Sequence, residues 1–111
     1  MTDEMMIKAS KEDQHPNHSV EPGPVTVLAR EPLAPNLQLL TVRAPVVASK
    51  IQPGQFVIVR ADEYSERIPL TVADWEREKG TVSCVFMQVG TSTYKLSRLK
   101  AGDELPTFVG P

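Results

Sequence analysis

From Val25 onward the chain breaks into short β-branched runs separated by turn residues, and that rhythm restricts it more than any other feature. "VTVLARE", "LQLLTVRA", "GQFVIVRADE", "LTVAD" and "GTVSCVFMQV" recur at hairpin-like intervals, the pattern of a sandwich or barrel. In "QFVIVR", Phe56 and Ile58 point one way and Val57 and Val59 the other, so both faces are apolar. That suits a strand of a closed barrel with something packed against its outside. "KIQPGQ" is a turn, with Pro53 preset for its second position and Gly54 supplying the permissive φ. "EREKG" reads as a charged hairpin loop.

One segment departs from the rhythm. In "VGTSTYKLSRLKAGDEL", Leu96 and Leu99 fall three apart, Thr91 and Ser92 are natural N-caps, and Lys95, Arg98 and Lys100 load the C-terminal end. Gly102 stands where a helix-terminating glycine belongs. The spacing predicts a short helix over about 92–100, followed by a last strand in "DELPTFVGP". The expected fold is all-β: a six-stranded antiparallel Greek-key barrel with one short α-helix before the last strand.

Residues 1–24 differ. They hold five acids against two lysines, a balance of −3 that leaves +1 for the rest of a chain whose net charge is −2. The stretch lacks a period, ends in Pro-Gly-Pro, and is expected to be a disordered or loosely docked extension, with one domain over 25–111. His15 and His18 lack the further ligands that a metal site requires. A near-neutral charge argues against a nucleic-acid or membrane surface, and no apolar run approaches the ~20 residues that span a bilayer. The single Cys84 excludes an internal disulfide and an all-cysteine cluster within the chain, and reads as a small buried residue. A reducing cytoplasm is the default compartment.

Two motifs carry chemistry. "GTST" places a glycine and hydroxyl residues at the start of a helix, where free N–H groups and the helix dipole favour an anion; the same residues also serve as plain caps. "ERIPLT" sets Arg67, Pro69 and Thr71 side by side. Proline cannot donate to a sheet ladder, so there it marks an edge, a strand start or a bulge. Arg67 is then either a surface partner of Glu66 or a phosphate ligand, and Thr71 either a β-former or a hydroxyl offered to a planar ring. No carboxylate pair and no Cys/His arrangement proposes a catalytic acid, base or nucleophile.

The order "PGQF", "RIPLT", "QVGTST", "LKAGDEL", "GP" over residues 25–111 resembles the FAD-binding barrel of the ferredoxin–NADP reductase superfamily. The likeness is nearest to the dihydroorotate dehydrogenase electron-transfer subunits and the sulfide dehydrogenase-like small flavin subunit of NADH-dependent ferredoxin:NADP oxidoreductase. The superfamily uses an arginine–x–aromatic–Ser/Thr motif: arginine for the pyrophosphate, the third residue on the isoalloxazine, the hydroxyl at flavin N5. The electron-transfer branch has Arg-Pro-Ile-Ser there. Matching "PLT" to it implies that Thr71 is the N5 partner and that Pro69 and Leu70 lie against the ring. Ile68 then occupies the arginine position and Arg67 falls one residue early, on the opposite strand face unless a bulge re-aims it.

The resemblance further implies that Val85, Phe86 and Met87 line the flavin through their backbone, and that Gly90, Ser92 and Thr93 hold the pyrophosphate. Trp75 either covers the barrel or lies by the cofactor. A nicotinamide-binding domain and a cysteine-rich cluster segment would follow the terminal Gly-Pro. The implied function is the FAD domain of a subunit that passes electrons between NAD(P)H and an iron–sulfur or ferredoxin partner, inactive when separated from the rest. The rivals are a stand-alone β-barrel that binds another ligand or protein without flavin, and a translation-factor-like interaction module.

Overall fold

The computed structural model describes residues 19–110. His15 and His18, with most of the expected N-terminal extension, lie outside the described residues. The elements are β1 (Ser19–Val20), β2 (Val25–Ala34), β3 (Leu37–Arg43), α1 (Pro45–Lys50), β4 (Phe56–Arg60), β5 (Ile68–Glu76), β6 (Thr81–Met87), α2 (Thr91–Leu96), β7 (Glu104–Leu105) and β8 (Thr107–Gly110). All pair antiparallel, in the spatial order β1-β8-β4-β5-β6-β3-β2-β7.

Hairpins join β2 to β3 and β4 through β5 to β6, whereas β3→β4 and β6→β8 cross the barrel end. Each crossover carries one of the helices. This is the expected Greek-key barrel. It closes through a single residue. Leu105 of β7 pairs with Val25 of β2, and Thr107 of β8 pairs with Arg60 of β4, so the two ends of the ladder meet at Pro106. Without an N–H, Pro106 interrupts the ladder and lets the strand leave one neighbour for another. If β7 and β8 are counted as one strand bent at Pro106, seven strands stand where six were expected. The addition is β1, which pairs Ser19 with Gly110 and Val20 with Val109 at the edge of β8.

Alternation along the strands sets the core. Val57 and Val59 of β4, Leu70 and Val72 of β5, and Val82, Cys84 and Phe86 of β6 are buried with Val25, Val27, Leu40, Val42, Leu105 and Phe108. Phe56, Ile58, Pro69, Thr71, Val85 and Met87 fall on the outer face by the same period. The "QPGQ" turn forms as expected, with Gln55 N donating to the Gln52 carbonyl at 3.3 Å and Gly54 at φ 83.

Two corrections concern helices. α1 was not expected; its Val47 and Ala48 are fully buried, and the Val47 amide donates to the Glu21 carboxylate at 2.8 Å. The helix expected over 92–100 begins at Thr91 and stops at Leu96. Beyond it, Arg98 N and Leu99 N bond back only three residues, at 3.1 and 3.2 Å. Arg30 reaches from β2 to take the Leu99 carbonyl on its Nε at 2.8 Å, pulling the chain out of the helical path. Gly102, at φ 96, ends the turn.

Candidate functional site

The two motifs meet at one cleft. A depression of about 500 Å³ is lined by Leu37, Ile68, Pro69, Leu70, Thr71, Val85, Phe86, Met87, Val89 and Thr93. Three neighbouring strands make its floor. Thr71 of β5 sits opposite Val85 of β6, and Met87 sits opposite Leu37 of β3. Their outward side chains are mostly apolar, and Met87 and Val89 are exposed to 56% and 77%, as a surface awaiting a flat apolar partner would be.

Residues of the cleft contribute in two ways. Leu70 and Phe86 are each 4% exposed, so their side chains belong to the core and what they offer the cleft is main chain. Pro69, Thr71, Val85 and Met87 alternate with them and offer side chains. Thr71 is exposed, and its hydroxyl has no hydrogen-bond partner among the described residues. It is the polar side chain set into this apolar floor.

At one end of the cleft stands α2. Its N-cap is Gly90, not Thr91 or Ser92, because Thr93 supplies the capping oxygen from inside the helix. Thr93 Oγ1 accepts from Val89 N at 2.8 Å and from Gly90 N at 3.0 Å, and donates to the Gly90 carbonyl at 3.1 Å. That hydroxyl is therefore fully engaged. The first intrahelical bond runs from Tyr94 N to the Gly90 carbonyl at 2.8 Å. The amides of Thr91, Ser92 and Thr93 precede it and are free to meet an anion. Ser92 and Gly90 belong to this tip but do not line the cleft.

Arg67 is placed elsewhere. The β4–β5 ladder runs without a bulge from Phe56 opposite Thr71 to Val59 opposite Ile68, and the bulge of β5 lies at Ala73, beyond Thr71. Arg67 thus lines a second cleft, of about 650 Å³, with Val20, Phe56, Ile58, Val109 and Gly110. The two clefts adjoin across the ladder that pairs Ile58 with Pro69. Trp75 is half-buried in β5 opposite Val82, with the Arg77 guanidinium 5.9 Å from its ring centroid, and borders neither cleft. Burial pushes the Cys84 thiol up to about 12, which keeps it neutral and inert.

Sequence reasoning missed Leu37 and Val89. Leu37 enters the cleft only because β3 pairs with β6, a contact between segments almost fifty residues apart that no local pattern signals.

No protein-family model matches the chain. Over 70 residues it is 46% identical to a dihydroorotate dehydrogenase B (NAD(+)) electron transfer subunit homolog of Thermotoga maritima, covering 63% of this chain and 25% of that protein. A solved structure of an NADH-dependent reduced ferredoxin–NADP oxidoreductase, studied for flavin-based electron bifurcation, matches with a TM-score of 0.75 at 38% identity. It covers 78% of this chain and 32% of that one. Amycolatopsis cytochrome P450 reductase GcoB matches with a TM-score of 0.64, over 96% of this chain and 32% of its own, at 18% identity, which speaks to the fold alone.

The barrel is therefore of the ferredoxin reductase-like FAD-binding fold. Among its homologues are electron-transfer subunits of dihydroorotate dehydrogenase B, and the chain spans between 25% and 33% of the first of these that it matches.

Proposed function

We propose that this chain is the FAD-binding domain of an oxidoreductase subunit that carries electrons between NAD(P)H and an iron–sulfur or ferredoxin partner in the cytoplasm. The observation that carries the reading is the shared cleft: Ile68–Thr71, Val85–Met87 and Thr93 come from three separate segments and border one surface. The residues present suit a flavin. A cleft of about 500 Å³ lies within the range of ligand sites. Its apolar floor suits the isoalloxazine, one unpartnered hydroxyl stands in that floor, and free helix amides at one end suit the pyrophosphate.

When bound, FAD supplies the redox chemistry, taking a pair of electrons from a reduced nicotinamide and releasing them to the next carrier. The chain's own residues bind, orient and tune. Pro69, Val85 and Met87 give the ring a dry surface, and Pro69 fixes the wall because its φ is locked. The Thr71 hydroxyl directs a neutral hydrogen bond at N5 without setting charge beside it. With Arg67 turned to the second cleft, the pyrophosphate depends on the amides of Thr91–Thr93 and on the Ser92 hydroxyl. The nicotinamide site and the partner subunit lie with other parts of the intact protein.

The test is FAD titrated into the chain, read by quenching of flavin fluorescence and by thermal shift. At a hundredfold excess over Kd, binding stabilises the folded state by about 2.7 kcal/mol, or roughly 10–20 °C for a domain of this size. Absence of both signals at saturating FAD rejects the reading. Thr71→Val is expected to weaken FAD about 3- to 10-fold, the loss of one hydrogen bond, and to alter the flavin potential, while unfolding free energy changes by under about 0.5 kcal/mol. Unchanged affinity and potential would remove Thr71 from N5.

A further inference from the structure

Two elements bordering the cleft are joined outside it by one ion pair. The connection between β4 and β5, residues 61–67, delivers Ile68 and Pro69 to the cleft, and α2 delivers Thr93. Asp62 serves both. Its Oδ1 accepts from the Tyr64 amide at 2.9 Å and the Ser65 hydroxyl at 2.8 Å, which shapes the connection itself. Its Oδ2 lies 3.1 Å from Lys95 Nζ on α2. The Ser65 hydroxyl, followed by Lys95 and the Tyr64 amide, holds this carboxyl below its usual range in spite of a raising effect of burial, so it is charged at neutral pH. Behind it, Arg60 anchors the connection to the barrel, donating to the Glu63 carbonyl at 3.2 Å and to Thr107 Oγ1 at 2.8 Å.

The Asp62–Lys95 pair is the one ionic or hydrogen-bonded link between that connection and α2 among the described residues. We propose that it is a positioning clamp for the phosphate end of the cofactor, holding the start of β5 and the tip of α2 at a fixed spacing on the two sides of the cleft. The proposal rests on the flavin reading above. Neither side chain lines the cleft, so both act through the elements that do: Asp62 through Ile68 and Pro69, Lys95 through Thr93.

Simple electrostatics predicts the opposite sign for Asp62, which makes the clamp testable. A carboxylate near a pyrophosphate site repels its ligand, so neutralising it tightens binding if charge is all that matters. Under the clamp, neutralising it loosens binding. Asp62→Asn keeps an acceptor for Tyr64 and Ser65 but turns an amide toward Lys95; Lys95→Met keeps the aliphatic stem and removes the charge.

FAD titrated into the wild-type chain and the variants, read by flavin fluorescence, should bind about 3- to 10-fold more weakly to Asp62→Asn and to Lys95→Met. The double variant should be no weaker than the worse single one, since both cut the same link. Lys95→Arg should stay within about twofold of wild type, and melting temperatures without ligand should move by under about 2 °C. Asp62→Asn binding FAD as tightly as wild type or more tightly overturns the clamp, as do additive losses in the double variant, and both leave the flavin reading standing. A wild-type chain that does not bind FAD overturns that reading and the clamp with it.

Discussion

Leu96 is the buried residue of α2, fully enclosed, and it lies three positions after Thr93 at the cleft. Leu96→Ala removes three carbons. At about 0.8 kcal/mol per buried methylene the transfer loss is about 2.4 kcal/mol, and the cavity left behind brings the expected cost to about 3–4 kcal/mol. The other ties on this segment are the half-exposed Asp62–Lys95 pair and the bond from Arg30 to the Leu99 carbonyl, and neither kind offsets such a loss. A six-residue helix does not persist undocked, so part of the loss is expressed as local release of α2. Urea unfolding should show a fall of about 2–4 kcal/mol, a large share of a stability of 5–15 kcal/mol. Hydrogen exchange should show the Tyr94 and Ser97 amides, which donate to Gly90 and Thr93 carbonyls at 2.8 and 3.0 Å, exchanging faster than the strands. A cost below about 1 kcal/mol, with those two amides still protected, would refute Leu96 as the anchor of the cleft's helix.

Burial raises the Cys84 thiol from 9.0 to about 12, so the unfolded chain gives up that proton first and stability falls as pH rises through this window. The slope is about 1.4 kcal/mol per pH unit. It should appear in wild-type alkaline unfolding and vanish in Cys84→Ala, and equal slopes in the two would deny the burial effect. Gly80 sits at φ 70, where an added Cβ would lie 3.0 Å from the Pro45 Cβ. Gly80→Ala should cost about 1–3 kcal/mol by urea unfolding, and an unchanged midpoint would mean that the β5–β6 loop relaxes freely.

The barrel was readable because its information is local and repeated. Alternation in "QFVIVR" already separated Val57 and Val59 from Phe56 and Ile58, and the two sets do part into core and outer face. Of the cleft, the strands that carry "RIPLT" and "VFM" and the helix after "GTST" were each legible, but their convergence was not. α1 illustrates the limit. Val46 and Val47 disfavour helix on their own, and what sustains α1 is Pro45 at its first turn, the burial of Val47 and Ala48, and a carboxylate from Glu21 more than twenty residues earlier.

Arg67 shows the division most sharply. Composition and motif put an arginine beside the cofactor segment, and strand period said that one residue of offset changes its surroundings. Which cleft received it depended on the unbulged ladder between β4 and β5 and on β8 and β1 supplying Val109 and Val20 to the far side. Periodicity, turns and caps are properties of neighbours along the chain, so the sequence alone settles them. Register, the bend at Pro106 and the meeting of β3, β5, β6 and α2 at one cleft are properties of distant segments. Their free energy exists only once the barrel has closed.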